Sequence, residues 1–239
     1  GLTSAEMTGS RASTNMSNLD FTATWQTVPD TSSKGVVASY PVLTSNTQSP
    51  SPRTTLYADG DGTTGNEYEI ANWYHLNNVR ENLGDNFTLV NDLDTSTAGY
   101  SSVASSSANG AKGFVPIGSS STTFTGTFNG SGNTISNLMI NRTTENDVGM
   151  FGYVDTGGGV TNITLGDVSV GGNDNTGGLV GQNWGTVRNV TVGGEITDSE
   201  QGGGLVVGEN RDTVVDSNAN GTVSGSSESG VLVGTNWDG

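Results

Sequence analysis

The fold is decided by four stretches that nearly repeat one another about every 27 residues: Thr134-Ile-Ser-Asn137-Leu-Met-Ile140, Val160-Thr-Asn162-Ile-Thr-Leu165, Val187-Arg-Asn189-Val-Thr-Val192 and Val214-Val-Asp216-Ser-Asn-Ala219. Similarity at a fixed spacing of this size is typical of repeat architectures, in which each unit stacks on the next. Each repeat also carries a glycine-bounded element, of which Gly178-Leu-Val-Gly181-Gln-Asn183 is an example. Two or three short strands per repeat predict a β-solenoid.

In a β-solenoid each strand pairs in parallel with its counterpart one turn later, about 4.8 Å away, so equivalent side chains form columns. The segment from Asn86 to Gly239 has room for about five or six coils, and we predict an all-β, right-handed parallel β-helix. The predicted inward columns are Ile135, Val160, Val187 and Val214, and, beside them, Leu138, Ile163 and Val190. A polar ladder is predicted from side chains that bond to their neighbours: Asn137, Asn162, Asn189 and Asp216.

Composition agrees with a thin, repetitive core and excludes some partners. Of 239 residues 37 are Gly and only 31% are apolar, which suits a one-dimensional core better than a thick globular one. The formal net charge of −16 repels phosphate backbones, so no nucleic-acid partner is expected. The acidic excess fits either general solubility or adaptation to high salt, and the scarcity of lysine, present only as Lys34 and Lys112, favours the second. The chain has no cysteine for disulfides or thiolate metal sites, and no apolar run long enough for a membrane span.

The chain divides into four parts. Residues 1–48 form an N-terminal segment with two apolar stretches at 21–28 and 40–43, each predicted to be a strand. Residues 49–56 are a linker, and residues 57–85 hold a tight turn and a short amphipathic helix. That helix is predicted to start at the N-cap Asn72, to end at a left-handed Gly84 and to cap one end of the stack. Residues 86–239 are the solenoid.

The repeats resemble the GLUG-motif repeat family, whose namesake element reads Gly-Gly-Leu-Val-Gly followed closely by Asn. Residues 177–183, Gly-Gly-Leu-Val-Gly-Gln-Asn, match it well. The upstream stretches 68–94, 116–118 and 124–130 resemble the family's entry region, so the resemblance covers residues 56–239. It implies an exported or surface-attached protein, adhesin-like in architecture, whose repeats are not catalytic.

Residues 1–48 resemble the segment that follows the repeats in acidic, halophile-type members of that family. In those members a Trp-Asp pair precedes this segment, whereas here Trp237-Asp238 stands at the opposite end of the chain. We therefore expect the chain to be one period of a longer tandem array. Residues 1–48 would then pair with the end of their own or of the preceding solenoid by strand addition, through Phe21, Trp25, Val28, Tyr40 and Leu43.

Candidates for catalysis and metal binding are few. Asp92 and Asp94 form the best local carboxylate pair for a glycosidase, although closing a strand at a corner explains them better. His75, the single histidine, lacks the surroundings of a triad or a zinc site. Asp59 and Asp61 lie in a calcium-like loop that lacks the rest of an EF-hand pattern, and turn formation is the favoured role. No cofactor is therefore expected, and calcium is retained as the weak candidate.

Sequons for N-glycosylation are frequent, and in an exported protein each could carry a glycan. Those outside the central repeats are Asn15, Asn86, Asn129, Asn141 and Asn220, and two more fall on Asn162 and Asn189.

The sequence thus predicts a non-enzymatic extracellular or cell-surface module that builds an adhesin-like protein or filament by head-to-tail continuation. Its expected partners are neighbouring copies of itself or adjacent modules, and surface glycans. The alternative is a carbohydrate-active or carbohydrate-binding β-helix.

Overall fold

A computed structural model describes residues 25–26, 42–43, 56–225 and 227–237. Two short strands lie in the N-terminal segment, β1 (Trp25–Gln26) and β2 (Val42–Leu43), and they pair antiparallel with Trp25 opposite Leu43. Both fall inside the stretches predicted as strands. Phe21, Val28 and Tyr40, named with them as pairing residues, lie outside the described residues, as does Asn15.

The described part of residues 56–239 is a parallel β-solenoid, which confirms the predicted fold class. Its first strands are β3 (Tyr68–Ile70), β4 (Asn86–Leu89), β5 (Thr127–Asn129), β6 (Thr134–Ser136), β7 (Met139–Asn141) and β8 (Phe151–Val154). The regular turns follow with β9 (Gly159–Gly177), β10 (Val180–Asn183), β11 (Thr186–Gly204), β12 (Val207–Asn210), β13 (Thr213–Val215), β14 (Asn218–Ser224) and β15 (Val233–Asn236).

Two ladders of parallel strands run along the solenoid. One has the order β3-β4-β5-β9-β11-β13, and the other has the order β8-β10-β12-β15. The long strands β9 and β11 bend around corners and also pair with β6, β7 and β14. The second ladder has four strands, so about four turns of the solenoid contribute a strand to both ladders. The predicted number of five or six coils is reached only in the longer ladder, which has six strands.

The glycines of the repeated element are required by close approaches of the backbone. A Cβ at Gly177, Gly204 or Gly230 would collide with the carbonyl oxygen of the valine three residues later in the chain. The second glycine of the element, at Gly181 and Gly208, packs against the backbone of a corner in an adjacent part of the coil. The motif is therefore a steric requirement of this narrow coil.

The first repeat does not follow the predicted register. Ile135 pairs with Leu165, not with Val160, whose neighbour in the preceding turn is Phe128. Leu138 likewise does not align with Ile163, because the carbonyl of Leu138 accepts from the amide of Ser169. The turn at 130–133 separates β5 from β6, and it displaces the first repeat by several residues relative to the others.

The same shift changes the predicted polar ladder. Asn189 Nδ2 donates to Asn162 Oδ1 at 2.8 Å, and Asn162 Nδ2 donates to Asn129 Oδ1 at 3.0 Å. Asn137 is not in this ladder, since its amide bonds to the carbonyl of Gly166. It shares with Asn162, Asn189 and Asp216 only the left-handed backbone conformation that asparagine and aspartate tolerate.

Three short helices lie between the early strands: α1 (Trp73–Asn78), which continues as a 3-10 turn at Val79–Glu81, α2 (Tyr100–Val103) and α3 (Ala108–Ala111). Asn72 caps α1 as predicted, because its Oδ1 accepts from the amide of His75 at 3.0 Å. The prediction of a left-handed Gly84 is wrong: the 3-10 turn ends at Asn82, and Gly84 is not among the residues with positive φ.

The β3 end of the solenoid is closed by the chain that precedes it. Ala58 N donates to Glu69 O, and Glu69 N donates to Asp59 O. The backbone N–H and C=O of Glu69 are therefore both paired by the preceding chain. The Tyr57 ring stacks on Tyr68 at 4.1 Å, and the Tyr57 hydroxyl donates to the carbonyl of Asn78 at the end of α1. As a result Tyr68 is fully buried although β3 is the first strand of its ladder.

Candidate functional site

Both carboxylates considered for glycoside hydrolysis are engaged in structural hydrogen bonds, Asp92 with a neighbouring coil and Asp94 within a local turn. Asp92 Oδ1 accepts from the amide of Thr134 at 2.7 Å. Asp94 Oδ1 accepts from the amide and the hydroxyl of Ser96, and these bonds hold the pKa of Asp94 below its ordinary value. A general acid needs a raised pKa, so the environment of Asp94 opposes that role.

His75 is a buried part of α1. Its Nδ1 accepts from the amide of Ala71 at 3.3 Å, and the Asn72 side chain lies 3.1 Å from its Nε2. Burial lowers the pKa of His75 to about 4, so the ring is neutral at physiological pH. The neutral ring therefore stabilises the first turn of the helix through its contacts with Ala71 and Asn72.

The calcium-like loop is a turn stabilised by hydrogen bonds to its own aspartate side chains. Asp59 Oδ1 accepts from the amide of Gly60, and Asp61 Oδ1 accepts from the amide and the hydroxyl of Thr63. The bonds from Thr63 lower the pKa of Asp61. Within the part of the chain that the structure describes, no three acidic or histidine side chains are grouped so that they could hold a metal ion.

The sequons fall into two groups by the state of their Nδ2, the atom to which a glycan is attached. Asn162, Asn189 and Asn86 each donate through Nδ2, the last to the carbonyl of Gly62. Asn141 and Asn220 are exposed, whereas Asn129 is partly buried and accepts through Oδ1. Among the sequons that the structure describes, Asn141 and Asn220 are thus the most accessible to modification.

Among the described residues, no strand covers the opposite end of the solenoid, which is formed by β13, β14 and β15. Val187 and Val207 are fully buried, whereas Val214 and Val233, which follow them in the same columns, are partly exposed. Burial is lost in the last turn because each inward side chain is covered on one side only. We call this surface the open end.

A cleft of about 460 Å³ lies at the open end, between the last strands of the two ladders. Val214, Leu232 and Val233 form its apolar part, and Asp212 and Asn236 its polar part. Of the three large apolar side chains that are exposed among the described residues, two lie in this region, Val231 at 54% and Trp237 at 51%. Concentrated apolar exposure of this kind marks interaction surfaces.

A second amide ladder leads to the open end, and the sequence reasoning missed it. Asn183 is fully buried, and its Nδ2 donates to Asn210 Oδ1 at 2.8 Å; Asn210 Nδ2 donates in turn to Asn236 Oδ1 at 2.8 Å. Asn236 is exposed in the last described turn. The recurrence of Asn after each glycine element was the signal from which this ladder could have been found.

Beside that ladder, aromatic and cationic side chains alternate on successive turns. Trp184, Arg211 and Trp237 each follow an asparagine of the amide ladder. The guanidinium of Arg211 lies 4.9 Å from the ring centroid of Trp184 and 4.7 Å from that of Trp237. Glu209 accepts from Arg211 Nε and from Gln182 Nε2, which fixes the guanidinium between the rings. The column ends at the exposed ring of Trp237.

Acidic side chains also gather along one corner of the regular turns. Burial raises the pKa values of Asp147, Asp174 and Asp198, and the nearby charges of Glu200 and Glu209 add to the increase at Asp174. Asp198 is only 4% exposed and accepts from the hydroxyl of Thr176 at 2.7 Å. At neutral pH the ionised carboxylates of this corner therefore lower the stability of the fold.

Comparisons with known proteins give two relatives of modest similarity. The chain is 37% identical over 131 residues to halomucin from Haloquadratum walsbyi, and this match covers 53% of the chain and 1% of that protein. It is 39% identical over 135 residues to a protein from Evansella cellulosilytica named as a Gly-rich membrane protein. This second match covers 54% of the chain and 15% of that protein. The chain thus spans a small part of both relatives, and neither name is that of an enzyme.

No protein-family model matches the chain, and no solved structure matches it. Among the described residues, no helix is long and apolar enough to cross a bilayer.

Proposed function

We propose that this chain is a non-enzymatic structural module of an extracellular or cell-surface protein, a stiff acidic rod that further units continue at its open end. The loss of burial in the last turn carries the proposal: the columns through Val187 and Val207 end at the partly exposed Val214 and Val233. An unpaired strand edge of this kind associates unless it is covered. The relatives support a surface location and a halophilic setting, since one is named halomucin and the other a membrane protein.

Membership in the GLUG-motif repeat family, as an adhesin-like surface protein, is part of this proposal. The resemblance at Gly177–Asn183 gains support from the steric need for glycine at Gly177 and Gly181. It gains further support from the amide ladder that starts at Asn183. A solenoid built on these contacts needs no ligand to hold its shape.

Sedimentation velocity of the purified chain in high salt tests the proposed continuation. The wild type should associate as its concentration rises, and Val231→Asp should abolish association by placing a charge on the open end. Val90→Asp, at an exposed valine of the first turns, is the matched control and should associate like the wild type. Association that Val231→Asp leaves unchanged would place the contact elsewhere and overturn the proposal.

Carbohydrate binding is the second candidate function. The exposed ring of Trp237 beside the polar side chains of Asn236 and Asp212 favours it, because sugars stack on exposed aromatic rings next to hydrogen-bonding groups. Binding of surface polysaccharides that Trp237→Ala removes would support this role, and absence of any binding would exclude it at this site.

A further inference from the structure

The Asn-x-Ser/Thr sequons are a motif that the proposed function does not use. Five of them have described turns on both sides: Asn86, Asn129, Asn141, Asn162 and Asn189. An N-linked glycan is attached at the asparagine Nδ2, and the hydroxyl at the third position is part of the acceptor motif. A sequon in a folded chain is therefore an acceptor only where the side-chain amide and the hydroxyl are both accessible.

Three of these sequons have an asparagine whose Nδ2 is already hydrogen-bonded. Nδ2 of Asn162 and Nδ2 of Asn189 both donate within the polar ladder, at 3.0 and 2.8 Å. Nδ2 of Asn86 donates to the carbonyl of Gly62 at 3.2 Å. Attachment of a sugar at any of these nitrogens requires that the contact first opens.

The sequon at Asn129 is engaged at its hydroxyl. Ser131 Oγ is hydrogen-bonded to Thr88 Oγ1 in the preceding turn at 2.9 Å, and the amide of Ser131 donates to Asn129 Oδ1 at 2.9 Å. Asn129 is also partly buried, and its Oδ1 accepts from Asn162. Modification at this position needs a local opening as well.

The sequon Asn141-Arg142-Thr143 differs from these four. Asn141, the last residue of β7, and Thr143 are exposed, whereas Arg142 between them is only 8% exposed. Among the residues that the structure describes, neither the side-chain amide of Asn141 nor the hydroxyl of Thr143 has a hydrogen-bond partner. Both groups that a glycan transfer needs are thus accessible without any opening of the coil.

Backbone and side-chain contacts hold this sequon in its orientation. The amide of Asn141 donates to the carbonyl of Lys112 at 2.9 Å, and the amide of Arg142 donates to the carbonyl of Gly171 in the next turn at 2.8 Å. Nε of Arg142 donates to the carbonyl of Phe114 at 3.1 Å. Because Arg142 is fixed inward, the residues on either side of it point outward.

The next turn leaves room beside the sequon. Gly171 of β9 is paired with Asn141 and has no side chain. A Cβ at Gly171 would lie 3.4 Å from Thr143 Cγ2 and 3.7 Å from Asn141 Oδ1, so a large side chain there would crowd both residues. Asn162, by contrast, meets a side chain in the next turn, since Asn189 donates to its Oδ1.

We propose that Asn141 is an N-glycosylation site, modified in the folded chain in preference to the sequons of the polar ladder. The reaction is the transfer of a glycan from a polyisoprenoid phosphate carrier by an oligosaccharyltransferase. A bond forms between Asn141 Nδ2 and the anomeric carbon of the glycan as the bond from that carbon to the carrier phosphate breaks. Nδ2 loses one proton, and the phosphate leaves with the bonding electrons. The inference uses the surface location in the proposed function and does not depend on continuation of the rod.

Transfer to the folded chain in vitro tests the proposal. The chain is made in a host without N-glycosylation and incubated with a purified oligosaccharyltransferase and its lipid-linked glycan, and glycopeptides are quantified by mass spectrometry. Asn141 should be modified at least about tenfold faster than Asn162 or Asn189, because transfer to these two requires local opening. Peptides of equal length centred on each asparagine correct for the sequence preference of the enzyme.

Substitutions separate the motif from the space beside it. Asn141→Gln and Thr143→Ala should abolish transfer at this sequon, whereas Thr143→Ser should retain it. Gly171→Tyr should slow transfer to Asn141 severalfold, and Gly166→Tyr, at another glycine of β9, should leave it unchanged. A Cβ makes only ordinary contacts at both glycines, and circular dichroism checks that each variant is folded.

Two results would overturn the proposal: equal corrected rates at Asn141 and Asn162 in the folded chain, or an Asn141 that stays unmodified. Transfer that Gly171→Tyr leaves unchanged would contradict the role given to the space at Gly171. The outcome is independent of the test of the proposed function. Association of the chain can fail while Asn141 is modified, and Asn141 can stay unmodified while the chain associates.

Discussion

At the residue scale, the inner amide ladder shows how one side chain type can hold successive turns in register. Asn183 and Asn210 lie in a column where each amide donates to the next and accepts from the one before or from the backbone. A buried polar group is tolerated in a thin core when its hydrogen bonds are complete. Asn183 is fully buried, and Asn210 Oδ1 is the nearest of the three acceptors of its Nδ2, which also donates to the carbonyls of Gly185 and Thr213.

We therefore expect Asn210→Ala to lower the free energy of unfolding by about 1–3 kcal/mol, the cost of leaving buried partners unsatisfied. Asn220→Ala, at an exposed position, is the matched control and should change stability by less than about 0.5 kcal/mol. Urea denaturation at fixed salt measures both. Equal effects of the two substitutions would show that the ladder contributes nothing.

His75 gives a pH dependence of known sign. Its pKa in the folded chain is about 4, below the ordinary value of 6.5, so the unfolded chain takes up the proton first as the pH falls. The stability that the neutral ring provides is complete above pH 6.5 and is lost as the pH falls toward 4, by up to about 3 kcal/mol.

His75→Gln cannot titrate in this window, so as the pH falls from 6.5 to 4 its unfolding free energy should decrease less, or increase more, than that of the wild type. Asp147, Asp174 and Asp198 act in the opposite direction, because acids with raised pKa values favour the folded state as the pH falls. If the unfolding free energies of the wild type and the variant changed equally with pH, His75 would not be a buried neutral residue.

At the element scale, the glycine element sets how closely the strands of one coil approach each other. A Cβ at Gly177 would collide with the carbonyl of Val180, a backbone atom that cannot move aside. At Gly166, by contrast, a Cβ would meet Ser136 Cβ at 3.7 Å, an ordinary contact. Neither glycine has the positive φ that would disfavour alanine by itself.

Gly177→Ala should therefore destabilise the solenoid by at least about 1–3 kcal/mol, as overpacking does. Gly166→Ala should be neutral or slightly stabilising, since alanine restricts the unfolded chain. Thermal unfolding followed by circular dichroism compares the two. A tolerated Gly177→Ala would show that the coil is wider than the structure has it.

The sequence predicts these elements well where the repeat is regular and poorly where it is not. Val160, Val187 and Val214 stack as predicted, because the turns that contain them have equal length. Ile135 was assigned to the wrong column, since similarity of Thr134–Ile140 to the later repeats is local and does not reveal the extra turn at 130–133. Register depends on the length of the coil, which a short motif does not encode.

The site was predicted only in part. Sequence reasoning expected an end that could be continued, but it did not predict the contacts that Asn236 and Trp237 make with the preceding turn. The relation of Trp184 and Trp237 to Arg211 exists only after the turns are stacked, because the three residues are separated by 26 or 27 positions. Contacts between turns become visible in a sequence only once the correct period has been applied.

At the scale of the whole molecule, the charge of the solenoid makes its stability depend on salt. With a net charge of −16 and few cations, repulsion between carboxylates opposes the folded state, and counterions screen it. We expect the Tm to rise steadily as KCl is added from low to high concentration. Glu200→Gln, which removes one charge from the acidic corner, should raise the Tm at low salt and have a smaller effect at high salt. A Tm independent of salt would argue against a halophilic surface.

The account's central claim is that the solenoid is closed at β3 and open at β13–β15, where another unit docks. Hydrogen exchange of backbone amides, measured at concentrations below and above the onset of association, tests it most directly. The account predicts that β13–β15 exchange quickly in the monomer and become protected on association, while β3 and β9–β12 stay protected throughout. Strong protection of β13–β15 in the monomer, or association that leaves their exchange unchanged, would contradict it.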